Sequence, residues 1–195
     1  HTRLQGDWSS DVCSSDLDGS RVAIGATGHR YNSGHVRVYD WTGSAWVQVG
    51  ADIDGEAAGD GSGNSVALSA DGNRVAIGAN RNDGNGSDSG HVRVYDWTGS
   101  AWVQVGADID GEAESDRSGG SVALSADGSR VAIGARENDG NGTGSGHVRV
   151  YVLLGTTWIQ AGADIDGEAE YDHSGESVAL SSDGSRVRSE EHTSE

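Results

Sequence analysis

The sequence predicts an all-β fold assembled from a repeated four-strand unit, and three observations carry that reading. First, "SVALS" begins at Ser65, Ser121 and Ser177, "GHVRVY" begins at Gly34, Gly90 and Gly146, and Trp46, Trp102 and Trp158 keep step, so one unit recurs every 56 residues. Internal repetition of this length marks propellers, solenoids and arrays. Second, apolar residues inside the unit alternate with a period of two, the pattern of strands with two distinct faces, and no segment carries a helical stripe. Third, the chain holds 32 Gly and no Pro, Phe or Met, with Asp-Gly pairs between the alternating segments, which reads as tight turns between short strands.

The strands follow in order within one unit. In "SVALS", Val66 and Leu68 alternate with small residues. After the "ADGNR" turn, "RVAIGA" alternates Val75 and Ile77 with Ala76 and Gly78. "HVRVY" alternates Val92 and Val94 with His91, Arg93 and Tyr95, and "AWVQV" alternates Val103 and Val105 with Trp102 and Gln104. Four short antiparallel strands in 56 residues fit one blade of a β-propeller. A blade is buried on both faces by its neighbours, and here one face is large and branched while parts of the other are Ala, Gly and Ser. Large faces can then pack on small ones without voids. An open β-solenoid is the competing architecture, but its usual coils are shorter than this unit. The expected organisation is an open arc: a partial first repeat at 18–64, a second at 65–120, a third at 121–176 and the start of a fourth at 177–187.

Residues 1–17 and 188–195 lie outside the repeat. Where the later copies read "SVALSADG", the first reads "VCSSDLDG", and where "RVAIGA" is due after Ser185, "RVRSEEHTSE" stands. Ser9 to Leu17 can be encoded by AGT TCA GAC GTG TGC TCT TCC GAT CT, whose reverse complement in another frame encodes Arg188 to Glu195. Both ends therefore read as translated sequencing adaptor and are set apart from the fold. They are expected not to extend the blade pattern.

The unit resembles the FG-GAP repeat, the blade of the integrin α-subunit propeller and of many secreted bacterial proteins. The family pattern runs Phe-Gly-x-Ser-Val-Ala, a turn, then a strand ending Gly-Ala-Pro. Residues 63–67, 119–123 and 175–179 match the first part, and Gly78-Ala79 and Gly134-Ala135 the second. Ser62, Ser118 and Ser174 replace the Phe, and Asn80 and Arg136 replace the Pro, so the resemblance is to a diverged branch. A WD-repeat blade is similar in its central strands but has a shorter period and a Gly-His signature.

Composition excludes several functions. A formal charge of −18 leaves no basic footprint for nucleic acid. No run of about 18 apolar residues exists, so no membrane insertion is expected. Cys13, the only cysteine, lies in the adaptor-like stretch, which removes disulfide, thiol and cysteine–metal chemistry from the repeats. A catalytic centre needs one asymmetric constellation, whereas His35, His91 and His147 occupy equivalent positions and read as structural. Tyr171 and His173 are peculiar to one loop. No catalytic residue and no enzyme activity are expected.

Two features remain as candidate sites. "DIDGEA" recurs with a further Asp after it, placing Asp52, Asp54, Glu56 and Asp60 in the first copy, Asp108, Asp110, Glu112 and Asp116 in the second, and Asp164, Asp166, Glu168 and Asp172 in the third. Carboxylates around a Gly turn suit a hard cation such as Ca²⁺, and solvated acids around a buried Ile are the alternative. Integrin-type propellers carry a D-x-D-x-D-G calcium hairpin between the Ser-Val-Ala and Gly-Ala-Pro strands; here "SADGNR" or "SADGSR" stands, too short and with one acid, so that family site does not carry over. Trp46, Trp102 and Trp158 fit packing or stacking on sugars.

The resemblance implies a secreted or cell-surface recognition or adhesion scaffold, with a protein or carbohydrate ligand and the remaining blades of a longer protein as partners. The alternative is an accessory propeller of a larger secreted enzyme. An independently sequenced intact gene is expected to lack residues 1–17 and 188–195 and to continue "RVAIGA" after Ser185; finding both ends in such a gene would refute the adaptor reading.

Overall fold

The computed structural model describes residues 11–190. Three antiparallel sheets follow one another along the chain, and a two-stranded hairpin follows them. The first contains β1 (Asp11–Ser15), β2 (Arg21–Ala26), β3 (His35–Trp41), β4 (Trp46–Gln48) and β5 (Ile53–Asp54), with a four-residue helical turn, His29–Asn32, between β2 and β3. The second contains β6 (Ser65–Leu68), β7 (Arg74–Ala79), β8 (His91–Trp97), β9 (Trp102–Gln104) and β10 (Ile109–Asp110). The third repeats it with β11 (Ser121–Leu124), β12 (Arg130–Ala135), β13 (His147–Leu154), β14 (Thr157–Gln160) and β15 (Ile165–Asp166). The hairpin pairs β16 (Ser177–Leu180) with β17 (Val187–Glu190).

Each sheet is a propeller blade with an interrupted outer edge. In the second blade β9 pairs with the end of β8 and β10 with its start, and Val105 N–H donates to Val94 O between them. The register advances by two residues between these pairings, because Gly106 and Ala107 bulge out of the ladder. Part of "DIDGEA", read from sequence as a turn, is therefore strand. Its Ile is buried at positions 53 and 109 and exposed at 165, where no described blade covers it.

The blades pack as the alternation predicts. Val36, Val38 and Ile53 of the first blade meet Val75, Ile77 and Tyr95 of the second. Ala76, Val92 and Ile109 of the second then meet Val131, Ile133 and Tyr151 of the third. One face of every blade is thus small or β-branched, and the next blade presents its larger face to it. The inner strands β1, β6, β11 and β16 stand side by side along the arc, and among the described residues no sheet closes into a barrel.

Glycine makes this approach possible. A β-carbon on Gly78 would lie 2.1 Å from the carbonyl oxygen of Gly119, and one on Gly134 would lie 2.0 Å from that of Gly175. Ser65 and Ser121 then donate their hydroxyls to the same two carbonyls, at 2.8 and 2.7 Å. The Ser-Val-Ala and Gly-Ala segments of neighbouring units are thus a lock between blades.

The expectation that the ends stay out of the blades needs correction for the part described. Residues 11–15 form β1, in full register with β2, and residues 188–190 lie in β17. The cause is backbone chemistry. The inner edge of β2 carries unpaired N–H and C=O groups, and any extended segment that turns back can satisfy them. The turn is present: Asp16 N–H bonds Arg21 O as Ser69 N–H bonds Arg74 O, with Gly19 and Gly72 both at positive φ. Residues 1–10 and 191–195 lie outside the described residues.

Gly78→Ala is expected to destabilise the chain by about 3 kcal/mol or more, since backbone faces the new methyl and cannot yield cheaply. Gly120→Ala, which meets nothing nearer than 3.3 Å, is expected to change stability by less than ~1 kcal/mol. Denaturant melts of both variants check the contrast.

Candidate functional site

The "DIDGEA" segments leave the outer edge of one blade and lead into the inner strand of the next, so they lie at the junctions. Their glycine is fixed by crowding: a β-carbon on Gly111 would sit 2.0 Å from Ser89 O, and the Gly111 N–H donates to Gly90 O at 2.8 Å.

The four acids of each turn go to different partners. Asp52 takes a two-pronged pair from Arg37, with Nε at 3.0 Å and Nη2 at 2.8 Å, which holds its carboxyl down to about 2. Asp108 and Asp164 instead accept from Gln104 and Gln160, both at 2.6 Å. Asp54 approaches Arg30 at 3.5 Å, whereas Asp110 and Asp166 are exposed. Glu56 and Glu112 reach across to the next blade, where Arg93 and Arg149 wait at 3.4 and 3.6 Å; Glu168 is exposed. Asp60 and Asp116 are buried and accept from the backbone N–H of Ala57 and Ala113 and from Asn82 and Asn138 of the next blade. Asp172 keeps only the Ala169 bond. The acids of one turn are dispersed: among the described residues, no three from a single turn come within 4.8 Å of one another.

The hairpin where integrin-type propellers hold calcium does not fit that ion. The one carboxylate of "SADGNR", Asp71, accepts from Ser69 Oγ at 2.7 Å and from Asn73 N–H at 3.0 Å. Asp127 does the same with Ser125 and Ser129. The acid closes its own turn.

The histidines meet the acids instead. His91 opens β8 on the face turned toward the preceding blade, with Nδ1 at 3.7 Å from Asp108 and 4.0 Å from Glu56 of that preceding blade. His147 repeats this with Asp164 at 3.9 Å and Glu112 at 3.8 Å. Arg93 lies beneath, stacked over Tyr95 and donating to Asp54 O at 2.9 Å, and Arg149 does the same over Tyr151 with Asp110 O at 2.8 Å. Burial, and then the neighbouring arginine, push both imidazoles below their ordinary value, against the opposing pull of the acids. The same recurrence that made the histidines look structural is the sequence signal for this cluster. What sequence alone does not show is that the Glu crosses a junction.

The tryptophans have packing roles at complete junctions. Trp102 and Trp158 donate Nε1–H to Val49 O and Val105 O of the preceding blade, both at 2.9 Å. Trp46 belongs to the first described blade and is exposed. Tyr171 and His173 stand where the first repeat has Gly59 and Gly61, all four at positive φ.

Comparison with known proteins agrees with this architecture. Residues 52–95 match the model of the FG-GAP repeat family. That span begins in the outer strand of the first blade and ends in the third strand of the second, so the matched unit contains a whole junction. Among solved structures, a protein assigned as a 6-phosphogluconolactonase from Bacteroides uniformis superposes with a TM-score of 0.61 at 12% identity, over 92% of this chain and 46% of that one. Hydrazine synthase from Kuenenia stuttgartiensis gives 0.56 at 14%, over 96% and 44%. TolB from Acinetobacter baumannii gives 0.53 at 13%, over 92% and 37%. At such identities the likeness is one of fold, and the chain spans less than half the length of each. No curated protein matches the chain.

The histidines set a pH dependence. His35, His91 and His147 are all held below the ordinary 6.5 by burial when folded and return to it when unfolded, so the unfolded chain binds more protons as pH falls through that value. Stability is full above about pH 6.5 and is lost as pH falls below it, well before Asp52 titrates. The melting temperature is expected to drop between about pH 7 and pH 5, and the triple variant His35→Gln, His91→Gln, His147→Gln to lose most of that slope. Thermal melts across the range measure it.

Proposed function

We propose that the chain is a non-catalytic propeller module of a secreted or cell-surface protein, acting as a recognition or adhesion scaffold. The observation that carries the reading is the FG-GAP match set on equivalent blade junctions. FG-GAP repeats occur typically in extracellular and cell-surface proteins. Catalysis calls for a nucleophile or acid–base pair in one distinct environment, and the titratable groups here recur in equivalent environments instead. The ligand class that suits the exposed, copy-specific loops is a protein or a carbohydrate, since Tyr171 presents its ring to solvent.

The second reading is an accessory propeller of a larger secreted enzyme. It draws support from the span of the fold relatives, two of which are an assigned lactonase and a synthase about twice the length of this chain.

The uninterrupted parent protein separates the two. The first reading expects a secretory signal with adhesion modules or a surface-sorting tail, and no turnover of lactones, esters or glycosides by the purified parent. A catalytic domain in the same chain, with turnover that survives deletion of the repeats, would establish the second.

A further inference from the structure

Each complete junction brings together three potential metal ligands from two blades. In one they are Glu56, His91 and Asp108, and in the next Glu112, His147 and Asp164. One ligand atom from each residue lies within 4.8 Å of the other two. The residues are far apart in sequence, and the Glu comes from the blade before the His, so the set exists only where two blades meet.

A second observation points to a ligand. The His147 side chain is 1% exposed, yet neither of its ring nitrogens has a hydrogen-bond partner. A neutral imidazole carries one N–H and one lone pair, and leaving such groups unmet in the interior is destabilising. Around it, Asn138 and Asp116 bond one another at 3.0 Å and Ser145 bonds Asn138 O at 3.3 Å, whereas Arg149 Nε is, like the imidazole, buried without a partner.

We propose that these two junctions are binding sites for a divalent first-row transition ion, held by the Glu of one blade and the His and Asp of the next. One imidazole nitrogen with two carboxylate oxygens is a donor set for Zn²⁺ and its neighbours. Ca²⁺ takes six to eight oxygens and is poorly served by it. Nδ1 stands 3.7–4.0 Å from the carboxylate oxygens in the first set and 3.8–3.9 Å in the second. Donors on a tetrahedral zinc at about 2.0–2.1 Å stand roughly 3.3 Å apart, so each acid has to close by about half an ångström. Asp108 and Asp164 are held through Oδ1 by Gln104 and Gln160, which leaves the Oδ2 that faces the imidazole to close on the ion, and Glu56 and Glu112, 46% and 44% exposed, have room to turn to it from their arginines. Arg93 and Arg149 are the competing cations; each is anchored separately by a backbone carbonyl and a Tyr ring, and so stays in place when its Glu turns to the ion. Burial keeps the imidazoles unprotonated near neutral pH, so no proton has to leave before the ion binds. The group at His29, His35 and Asp54 contains no Glu from a preceding blade and is outside the proposal.

The test uses the full metal-free chain in a Cys13→Ser background, which removes the thiol as a rival ligand. Zn²⁺ is titrated by calorimetry into this protein and into Glu56→Gln, Glu112→Gln and the double variant, all of which keep the buried histidines. The single variants are expected to lose one bound ion each and the double variant two, with at least a tenfold fall in affinity at the altered junction. Millimolar Ca²⁺ is expected to displace no zinc. The His147 ring resonances are expected to shift on zinc addition and to stay still in Glu112→Gln. Equal zinc uptake by the parent and the double variant would overturn the proposal, as would a His147 ring that takes up a proton near neutral pH and ignores zinc, which would make the cluster an ion pair. If His147→Gln fails to fold, the Glu variants still decide the matter.

Discussion

Everything in this fold depends on how closely one backbone can approach the next. At Gly78 and Gly119, and again at Gly134 and Gly175, two main chains come so near that no side chain fits between them. The contact sets the spacing of the blades, and that spacing decides the rest. It lets the larger face of one blade seat on the smaller face of its neighbour. It puts the Ser65 and Ser121 hydroxyls within hydrogen-bond reach of carbonyls that packing would otherwise leave short of partners. It also brings a Glu of one blade to the His and Arg of the next. The Gly and Ser of the FG-GAP pattern are therefore junction residues, and the strands between them are the spacers.

A second set of contacts ties the turns to the sheet. Arg21 grips Asp40 with two nitrogens, at 2.6 and 2.9 Å, and passes a third bond to Gly72 O of the next blade. Arg74 grips Asp96 in the same way and reaches Gly128 O at 2.9 Å. Partly buried two-pronged pairs of this kind fix direction as well as contributing energy. The third copy breaks the set, because "HVRVYV" places Val152 opposite Arg130. The same copy has Leu153 where the others have Trp. The two changes are adjacent on β13, so this blade lacks the Arg–Asp pair between its second and third strands, and Leu153 stands opposite Trp158 where the earlier blades set Trp against Trp.

Much of this was legible in the sequence. The period of two and the 56-residue spacing gave the strands and the blade, and the resemblance marked the pattern glycines without saying that backbones meet there. The junction chemistry was not legible, for a physical reason. Glu56 and Arg93 are separated by most of a repeat, and nothing local marks them as partners. Reading "DIDGEA" as one acidic cluster put four carboxylates in one place, whereas the chain changes direction within the turn and sends them to Arg37 or a Gln, to solvent, to the next blade and to a buried backbone N–H. The strand at residues 11–15 shows the opposite limit. Its side chains match no repeat, yet its backbone completes the blade, because a sheet edge selects for extended chain before it selects for sequence.

The division of labour between junction and loop then follows. Groups that recur at every junction, such as His91 and His147 with their acids, are built by the assembly of blades and repeat with it; chemistry placed there is a property of the array and is lost with a neighbour. Groups that differ from copy to copy lie in the loop before each inner strand. There Gly59 and Gly61 give way to Ser115 and Arg117 and then to Tyr171 and His173, without change in the sign of φ. Keeping a non-glycine residue at positive φ is costly, of order 1 kcal/mol, so the loop conformation is imposed by the frame rather than by its own sequence. A frame that dictates the backbone of a loop leaves its side chains free to vary. That is the condition under which one scaffold can display different surfaces blade by blade while its junctions stay the same.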